Sequence, residues 1–142
     1  MKNKQLIIDS LPEGKLSESN YRLVESEIPE ISSDEVLVKT ISFAITAGTR
    51  AGLQGSASYA GAPTTGIVMN STGIGEIVKS NLEEYPIGKK VLTQTGWQEY
   101  SVQKNQSLTL LRDSVAPSLY LGPLGINGLT AYFGLLEIGQ PQ

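Results

Sequence analysis

The most constraining feature of the chain is a glycine-spaced segment near its C-terminus, GPLGINGLTAYFGLLEIG, from Gly122 to Gly139. Apolar residues recur there at the i, i+3, i+4 and i+7 spacing of one helix face: Leu129, Tyr132, Phe133 and Leu136. Asn127 is predicted to cap this helix, because its side-chain oxygen can accept from the free amides of the first turn. Gly139 and the following Pro141 predict its end. Since Glu137 is the only charged residue between positions 129 and 138, the helix is expected to be covered on more than one side.

Short strand candidates recur through the rest of the chain, roughly one every ten residues, with turn residues between them. They run over 4–9, 21–28, 35–45, 66–78, 90–94, 96–103 and 107–111. This spacing predicts an all-β barrel or sandwich over about residues 1–112 and a helical segment over about 115–139. The candidate at 35–45 has apolar residues on both faces, which predicts burial on both sides or a bent barrel strand. Within 66–78, Gly73-Ile74-Gly75 is typical of a bulge or bend.

The segment from Thr46 to Thr65 is long, rich in glycine and without a regular pattern. A segment of this length without regular structure is usually functional or mobile. Two interpretations stay open at this point. One is a flexible insertion, and the other is a lid on the substrate side of a binding cleft.

Composition narrows the class of protein. The 142 residues are enough for one domain with its own core. Their 39% hydrophobic and 18% charged content is that of an ordinary soluble domain. The net charge of −3, without a basic cluster, argues against nucleic acid as a partner. No apolar run approaches the roughly 20 residues that span a bilayer, and Asp9 follows the first apolar run too soon for a signal peptide. These features predict a cytoplasmic protein with no membrane partner.

The chain contains neither cysteine nor histidine. This excludes disulfides, thiolate nucleophiles, Ser-His-Asp triads and the Cys/His zinc sites from the chain. No metal site is therefore expected. Any chemistry here must come from a cofactor, carboxylates, lysine, tyrosine or backbone groups.

Several segments together resemble one protein family. The segment Leu121–Leu136, LGPLGINGLTAYFGLL, is similar to the signature of the medium-chain dehydrogenase/reductase superfamily, in its zinc-free branch of prostaglandin, curcumin and 2-alkenal reductases. Three further segments resemble motifs of the same branch: Gly73–Val78 its G-x-G-x-V-V strand, Tyr85–Val91 its F-x-x-G-D-x-V turn, and Gly96–Tyr100 its G-W-x-E-Y strand. The resemblance extends over most of the chain from Val36 to Gln140.

The resemblance implies a mainly β fold, a GroES-like partly open β-barrel with one or two short C-terminal helices. It also implies that a nucleotide-binding domain follows, since the chain itself holds no strand–GxGxxG–helix unit. One side of the C-terminal helix is expected to pack on the barrel and the other to meet that domain. The implied activity is hydride transfer from NADPH to an α,β-unsaturated ketone or aldehyde, in a homodimer. The alternative is a free-standing GroES-like binding or scaffold module without catalysis.

On the cofactor side, the resemblance points to Asn127, Gly128 and Thr130, which match family positions beside the nicotinamide. A helix N-terminus with a hydroxyl suits an amide-bearing ring or a phosphate. The alternative is that Asn127 only caps the helix and Thr130 only packs. Outside these positions, Trp97 is expected to pack in the core with its N–H satisfied.

On the substrate side, Thr46–Arg50 aligns with the family segment D-P-x-x-R. Gly48, Thr49 and Arg50 thereby become candidate substrate-binding residues. Some family members have a tyrosine where Gly48 stands. The absence of that tyrosine here removes a possible hydrogen-bond donor and opens the pocket. Arg50 has an alternative role as a structural anchor of a loop. Tyr59 matches a family Ser-Tyr pair and is expected either to line the substrate cleft or to anchor the long segment.

Overall fold

The structure is a computed structural model that describes residues 2–54 and 64–141. Seven strands and two α-helices follow in chain order: β1 (Lys2–Ile8), β2 (Tyr21–Glu27), β3 (Glu35–Phe43), α1 (Ala47–Gln54), β4 (Gly73–Ser80), β5 (Lys90–Thr93), β6 (Tyr100–Lys104), β7 (Thr109–Leu110) and α2 (Ile126–Phe133). Short 3-10 helices occupy Glu18–Asn20, Asn105–Ser107 and Pro117–Leu121, and a π-helical turn, Gly134–Gly139, continues α2. In the described ranges no helix is long and apolar enough to cross a membrane.

The strands form two sheets joined through β1. Five antiparallel strands lie in the order β6-β3-β4-β5-β7, and β1 pairs with β2 in a separate hairpin. The free edge of β1 bonds to two irregular stretches, with Leu6 N donating to the carbonyl of Trp97 at 2.8 Å and Ile8 N to that of Ile67 at 2.9 Å. The sheets do not close. The predicted mainly β, partly open GroES-like barrel is confirmed.

The core lies around β3, as its apolar pattern on both faces predicts. Val36, Val38, Ile77 and Val91 are fully buried in one cluster, against which Tyr85 packs. Such complete burial of aliphatic side chains is the main source of stability in a domain of this size, at about 25 cal/mol per Å² of apolar surface. β3 is long and paired on both sides, so it holds the sheet together.

A register shift lies beside the bulge or bend predicted at Gly73–Gly75, but its extra residue is Ile41 of β3 and not one of those three residues. The register between β3 and β4 shifts between Thr40 and Ser42, opposite Ile74 and Gly75. A Cβ atom at Gly75 would overlap the Val38 side chain and lie 2.6 Å from the Lys39 carbonyl oxygen. A bulge increases strand twist locally, which lets β3 curve as a barrel strand does.

A second cluster joins α1 to the hairpin. Ile8, Leu53 and Met69 are buried together, with Trp97 packed against them. The Trp97 ring stacks on Tyr21 and also on another ring, that of Phe43, with centroids 5.4 Å apart in each pair. The expected core packing holds, but the expected satisfied N–H does not: the buried Nε1 has no hydrogen-bond partner within the described chain.

Three predicted boundaries need correction. Helix α1 occupies Ala47–Gln54, where an irregular segment was predicted, because Thr46 and Thr49 cap its start. Strand β4 begins at Gly73 and not at residue 66, since the chain at 66–69 bonds to β1 instead. β6 begins at Tyr100 and not at residue 96.

The C-terminal helix also differs from its prediction. Gly125 is the N-cap and no side-chain cap bond is present, so the predicted capping role of Asn127 is wrong. Two glycines fix the start instead: a Cβ at Gly125 would lie 2.5 Å from the Tyr120 carbonyl oxygen, and one at Gly128 would overlap Pro123. Every residue from 129 to 140 is exposed. The predicted packing of one helix side on the barrel is therefore also wrong.

Candidate functional site

The start of α1 is built by two threonines that bond to each other. Thr49 N donates to Thr46 Oγ1 at 3.4 Å, and Thr46 N donates to Thr49 Oγ1 at 3.3 Å. This reciprocal pattern is that of a capping box, in which each side chain accepts from the other residue's free amide. It turns the chain sharply as it leaves β3. The turn places the first residues of α1 at the mouth of a cleft.

This first cleft, here called the α1 cleft, has a volume of about 540 Å³. It lies between the start of α1 and the segment from Thr64 to Thr72. Its lining includes Thr46, Gly48, Thr49, Ser71, Thr72 and Gln94, with apolar contributions from Ile8, Leu53, Ile67 and Met69. None of the described residues that line it carries a charge.

A second cleft of about 250 Å³, here called the α2 cleft, lies between the barrel and the start of α2. Its lining combines apolar residues with the polar residue Asn127. The residues that line it are Ala44, Thr46, Thr49, Ser71, Thr72, Leu92, Tyr120, Leu121, Gly125, Ile126 and Asn127. Because Thr46, Thr49, Ser71 and Thr72 line both clefts, the two adjoin along a wall of hydroxyl groups, here called the hydroxyl wall.

The hydroxyls of this wall are differently engaged. Ser71 Oγ donates to the Ala44 carbonyl oxygen at 2.5 Å. Thr46 Oγ1 and Thr49 Oγ1 lie 3.3 Å apart and share a hydrogen bond. Thr72 Oγ1 accepts from Gln94 Nε2 at 3.0 Å. The wall thus presents neutral hydrogen-bonding groups to both clefts.

Three of the predicted site residues line the clefts. Gly48 and Thr49 line the α1 cleft, and Asn127 lines the α2 cleft. The predicted substrate side and the predicted cofactor side are therefore brought together along the hydroxyl wall. Asn127 is exposed, and its side-chain amide makes no hydrogen bond within the described chain.

The other predicted residues lie outside both clefts or outside the described chain. Arg50 donates from Nη2 to the Gly14 carbonyl oxygen at 2.7 Å, which is the contact expected of a loop anchor. Burial raises the pKa of Tyr21 above its usual value, and the positive charge of Arg50 opposes part of that rise. Gly128 packs against Pro123, and Thr130 Oγ1 donates to the Ile126 carbonyl oxygen at 2.7 Å. Tyr59 lies outside the described residues.

Sequence reasoning missed Ser71, Thr72 and Gln94. Gln94 stands at the end of a predicted strand, and the others stand inside the stretch predicted as strand 66–78. A strand pattern by itself does not mark such residues as site residues. No sequence signal pairs Thr72 with Gln94, because the contact joins residues 22 positions apart through the packing of β4 on β5.

The chemistry of the site follows from its neutrality. Within the described ranges no group of three acidic residues could hold a metal ion. Among the described residues, neither lining holds a carboxylate, lysine or arginine to act as a strong acid or base. Such a site can orient neutral polar ligands and donate hydrogen bonds to a carbonyl oxygen, and the reacting electrons must come from a bound molecule.

Comparison with known proteins gives consistent matches. A family described as the N-terminal domain of oxidoreductase matches residues 4–111. The NADPH-dependent curcumin reductase of Escherichia coli (strain K12) is 34% identical over 142 residues, which cover 99% of this chain and 41% of that enzyme. The NADP(+)-dependent 2-alkenal reductase of Nicotiana tabacum is 30% identical over 147 residues, which cover 99% of this chain and 43% of that enzyme.

A solved structure agrees. The crystal structure of CurA in complex with NADPH from Vibrio vulnificus matches with a TM-score of 0.89 and 32% identity, over 98% of this chain and 42% of that one. The chain spans about two-fifths of the length of these proteins.

Proposed function

The chain belongs to the oxidoreductase N-terminal domain family, in the medium-chain dehydrogenase/reductase branch of the curcumin, prostaglandin and 2-alkenal reductases, and on that premise we propose that it is the catalytic domain of an NADP-dependent enone reductase. The proposed reaction reduces the C=C bond of α,β-unsaturated ketones or aldehydes. The observation that carries the proposal is the hydroxyl wall, on which an uncharged substrate cleft and a cofactor cleft meet.

A nucleotide-binding domain following this chain completes the proposed enzyme. The relatives are more than twice as long as the chain. The α2 face is left uncovered by the barrel, with Leu129, Tyr132, Phe133 and Leu136 each about half exposed. An apolar face of this kind is expected to be covered in the functional protein. We assign that covering to the second domain.

The α2 cleft fits the nicotinamide end of NADPH in its donor set. Leu92, Leu121 and Ile126 offer apolar surface to a flat ring, and the unpaired Asn127 side chain offers both a donor and an acceptor to the ring's carboxamide. Gly128 and Thr130 would then act less directly, Gly128 by allowing the helix start to approach Pro123. When bound, NADPH would supply a hydride to the β-carbon of the substrate.

The α1 cleft fits a neutral carbonyl compound. Its lining is apolar on the Ile8, Leu53 and Met69 side and hydroxyl-bearing on the other. Gly48 leaves the mouth of the cleft open, and Thr49 sets its edge. The absence of a charged lining residue favours an uncharged ketone or aldehyde over a carboxylic acid substrate, since an unpaired buried charge is costly. Arg50 would anchor the Gly14 loop and would not contact the substrate.

We also place this reductase in the cytoplasm and expect a homodimer. The composition supports the first, and the resemblance to the reductase branch supports the second. Sedimentation of the complete gene product tests the dimer directly. A monomer at micromolar concentration would contradict it.

The decisive experiment starts from the gene. We expect its complete product to contain a strand and a glycine-rich turn soon after residue 142, and to oxidise NADPH in the presence of a 2-alkenal or a diaryl enone. The 142-residue chain alone should be inactive, because cofactor contacts spread over two domains are needed for binding. A saturated aldehyde is the matched control and should not be reduced. A product that holds no second domain and consumes no NADPH would favour the scaffold module instead.

A further inference from the structure

Among the groups of the hydroxyl wall, Thr72 differs from its neighbours in its partner, because its hydroxyl oxygen accepts from a side-chain amide and takes no part in the cap of α1. Its Oγ1 receives the Gln94 Nε2 hydrogen at 3.0 Å, so its own hydroxyl hydrogen is left without an acceptor in the described chain. Ser71 has already donated to Ala44. The hydrogen bond between Thr46 and Thr49 uses one of their two hydroxyl hydrogens, and both oxygens also accept from the backbone amides that they cap. A hydroxyl that accepts from an amide is also a better donor, because hydrogen bonds in a chain polarise one another.

Gln94 is itself held by a buried amide. Its main-chain carbonyl oxygen accepts from Gln103 Nε2 at 2.8 Å, and the same Gln103 amide also donates to Ser101 Oγ. The Gln103 side-chain oxygen accepts from Thr93 Oγ1 at 3.0 Å and from Ser107 Oγ at 3.1 Å. All the hydrogen-bonding positions of Gln103 are filled, and the residue is 9% exposed. The main chain at the end of β5 is therefore held in place, and the exposed Gln94 side chain reaches across from it to Thr72.

We propose that Thr72 donates the hydrogen bond that stabilises the substrate oxygen during reduction, and that Gln94 is a positioning residue acting through Thr72. The inference rests on the proposed function and names the donor that this function requires. Thr72 lines both clefts, so it stands where a carbonyl bound in one cleft faces a ring bound in the other. As hydride adds to the β-carbon, the C=C pair shifts and the carbonyl oxygen becomes an enolate oxygen. The Thr72 hydroxyl donates to that oxygen, and the α-carbon then takes a proton from solvent.

The test uses the complete gene product and enone reduction. Thr72→Val keeps the side-chain shape and removes the donor, and we expect kcat to fall roughly 10- to 100-fold, as for a hydrogen bond to a charged group. Thr72→Ser should retain most of the activity. Thr109→Val, at an exposed threonine outside both clefts, is the matched control and should behave as the wild type. A Thr72→Val enzyme within about twofold of the wild type would overturn the proposal.

A double-mutant cycle tests the role of Gln94. Gln94→Leu should lower kcat less than Thr72→Val does, because the hydroxyl remains but is no longer oriented. In the Thr72→Val background, Gln94→Leu should cost less than about a further twofold. If the two substitutions lower kcat by independent factors that multiply in the double variant, Gln94 does not act through Thr72. The positioning role proposed for Gln94 would then be wrong.

A binding measurement separates this proposal from the proposed function. 4-Nitrophenol mimics the enolate, and its absorbance reports ionisation when it binds to the protein with NADP⁺. We expect the wild type to lower the pKa of the bound phenol, and Thr72→Val to return it toward the value in water. If the wild type reduces no enone, the proposed function fails, while this pKa difference still supports Thr72 as an oxyanion donor. An equal pKa in both proteins would remove Thr72 from that role.

Discussion

The barrel and the C-terminal helical segment, residues 126–139, both contain many apolar residues, but only the barrel buries them. In the barrel, Val36, Val38, Ile77 and Val91 have no exposed surface. In the helical segment, Ile138 is 82% exposed and Phe133 53% exposed. The barrel is therefore organised around its own core, whereas the helical segment begins at two closely packed glycines and has an apolar surface that no part of the described chain covers.

This difference indicates which region holds the substrate side of the proposed site and which holds the cofactor side. A stable barrel can hold the hydroxyl wall in place, because Thr72 and Gln94 lie at strand ends tied into the five-stranded sheet. Asn127 lies on the other region, on a segment that depends on a neighbour. We therefore expect the substrate side of the site to be formed in the chain alone, and the cofactor side to be completed only when the helical segment is covered.

The largest contrast is expected in amide exchange. Protection of core amides approaches the global free energy of unfolding, while amides in poorly packed segments exchange through local opening. In the 142-residue chain, amides of β3 should be strongly protected and those of Leu129–Ile138 weakly protected. In the complete gene product the second set should slow. Strong protection of Leu129–Ile138 in a monomeric sample of the short chain would show that the helical segment needs no neighbour.

A pair of isoleucines tests the same contrast by truncation. Ile77→Ala removes side-chain volume from the core cluster, and should lower the free energy of unfolding by about 2–5 kcal/mol. Ile138→Ala removes the same atoms from an exposed position, and should change it by less than about 0.5 kcal/mol. Urea denaturation of both variants measures the two values. Equal losses would mean that the helical segment is packed in solution.

Substituting alanine for two glycines, one in each region, should change stability in opposite directions. Gly75→Ala places a methyl group against Val38 and the Lys39 carbonyl, and should destabilise the barrel by about 1–3 kcal/mol, as overpacking does. Gly134 has ordinary helical backbone angles and no atom within reach of an added Cβ. Gly134→Ala should therefore stabilise the helix locally by about 0.4–1 kcal/mol. Thermal denaturation should detect the first change, and slower amide exchange within residues 126–139 the second.

Much of the barrel could be predicted because its strands follow a short-range pattern. Buried aliphatic residues and turn residues mark β2, β3 and β5 to within about two residues. Helix α1 was missed because Ala47–Gln54 has glycine and threonine where helices usually have stronger formers. Its only local sign was the Thr46–Thr49 pair, which is a weak capping signal by itself. The exposure of α2 was not predictable, since an apolar helix face does not reveal what covers it.

Some residues of the candidate site could likewise be predicted from the sequence, and others could not. Gly48, Thr49 and Asn127 could be found from the family resemblance, because they align with motif positions along the sequence. The clefts themselves depend on tertiary packing that brings residues 46–49, 71–72 and 94 together. Arg50 matched the same motif but points its guanidinium at Gly14, because a motif specifies a residue type and not the direction of its side chain.

The smallest expected effect concerns the connection between the two regions. Asp113 lies just beyond the barrel, and Lys89 Nζ contacts its Oδ2 at 2.8 Å. The hydrogen bond from Lys89, and then its charge, holds the pKa of Asp113 below the ordinary value, with a smaller contribution from Lys90. Because the folded-state pKa is depressed, the contribution to stability is present above the unfolded-state pKa and is lost as the pH falls through the folded-state pKa. Both side chains are exposed, so salt should weaken the pairing.

Titration of the Asp113 carboxyl by NMR measures this contact. Lys89→Met should raise the Asp113 pKa toward its ordinary value, and Lys90→Met should raise it by less, since Lys90 acts only through its charge. Lys2→Met removes a comparable exposed ion pair, with Glu27, and should leave the Asp113 pKa unchanged. If Asp113 titrates identically in the wild type and in Lys89→Met, the connection is not held by this ion pair. The helical segment would then be even less tied to the barrel than its exposed face indicates.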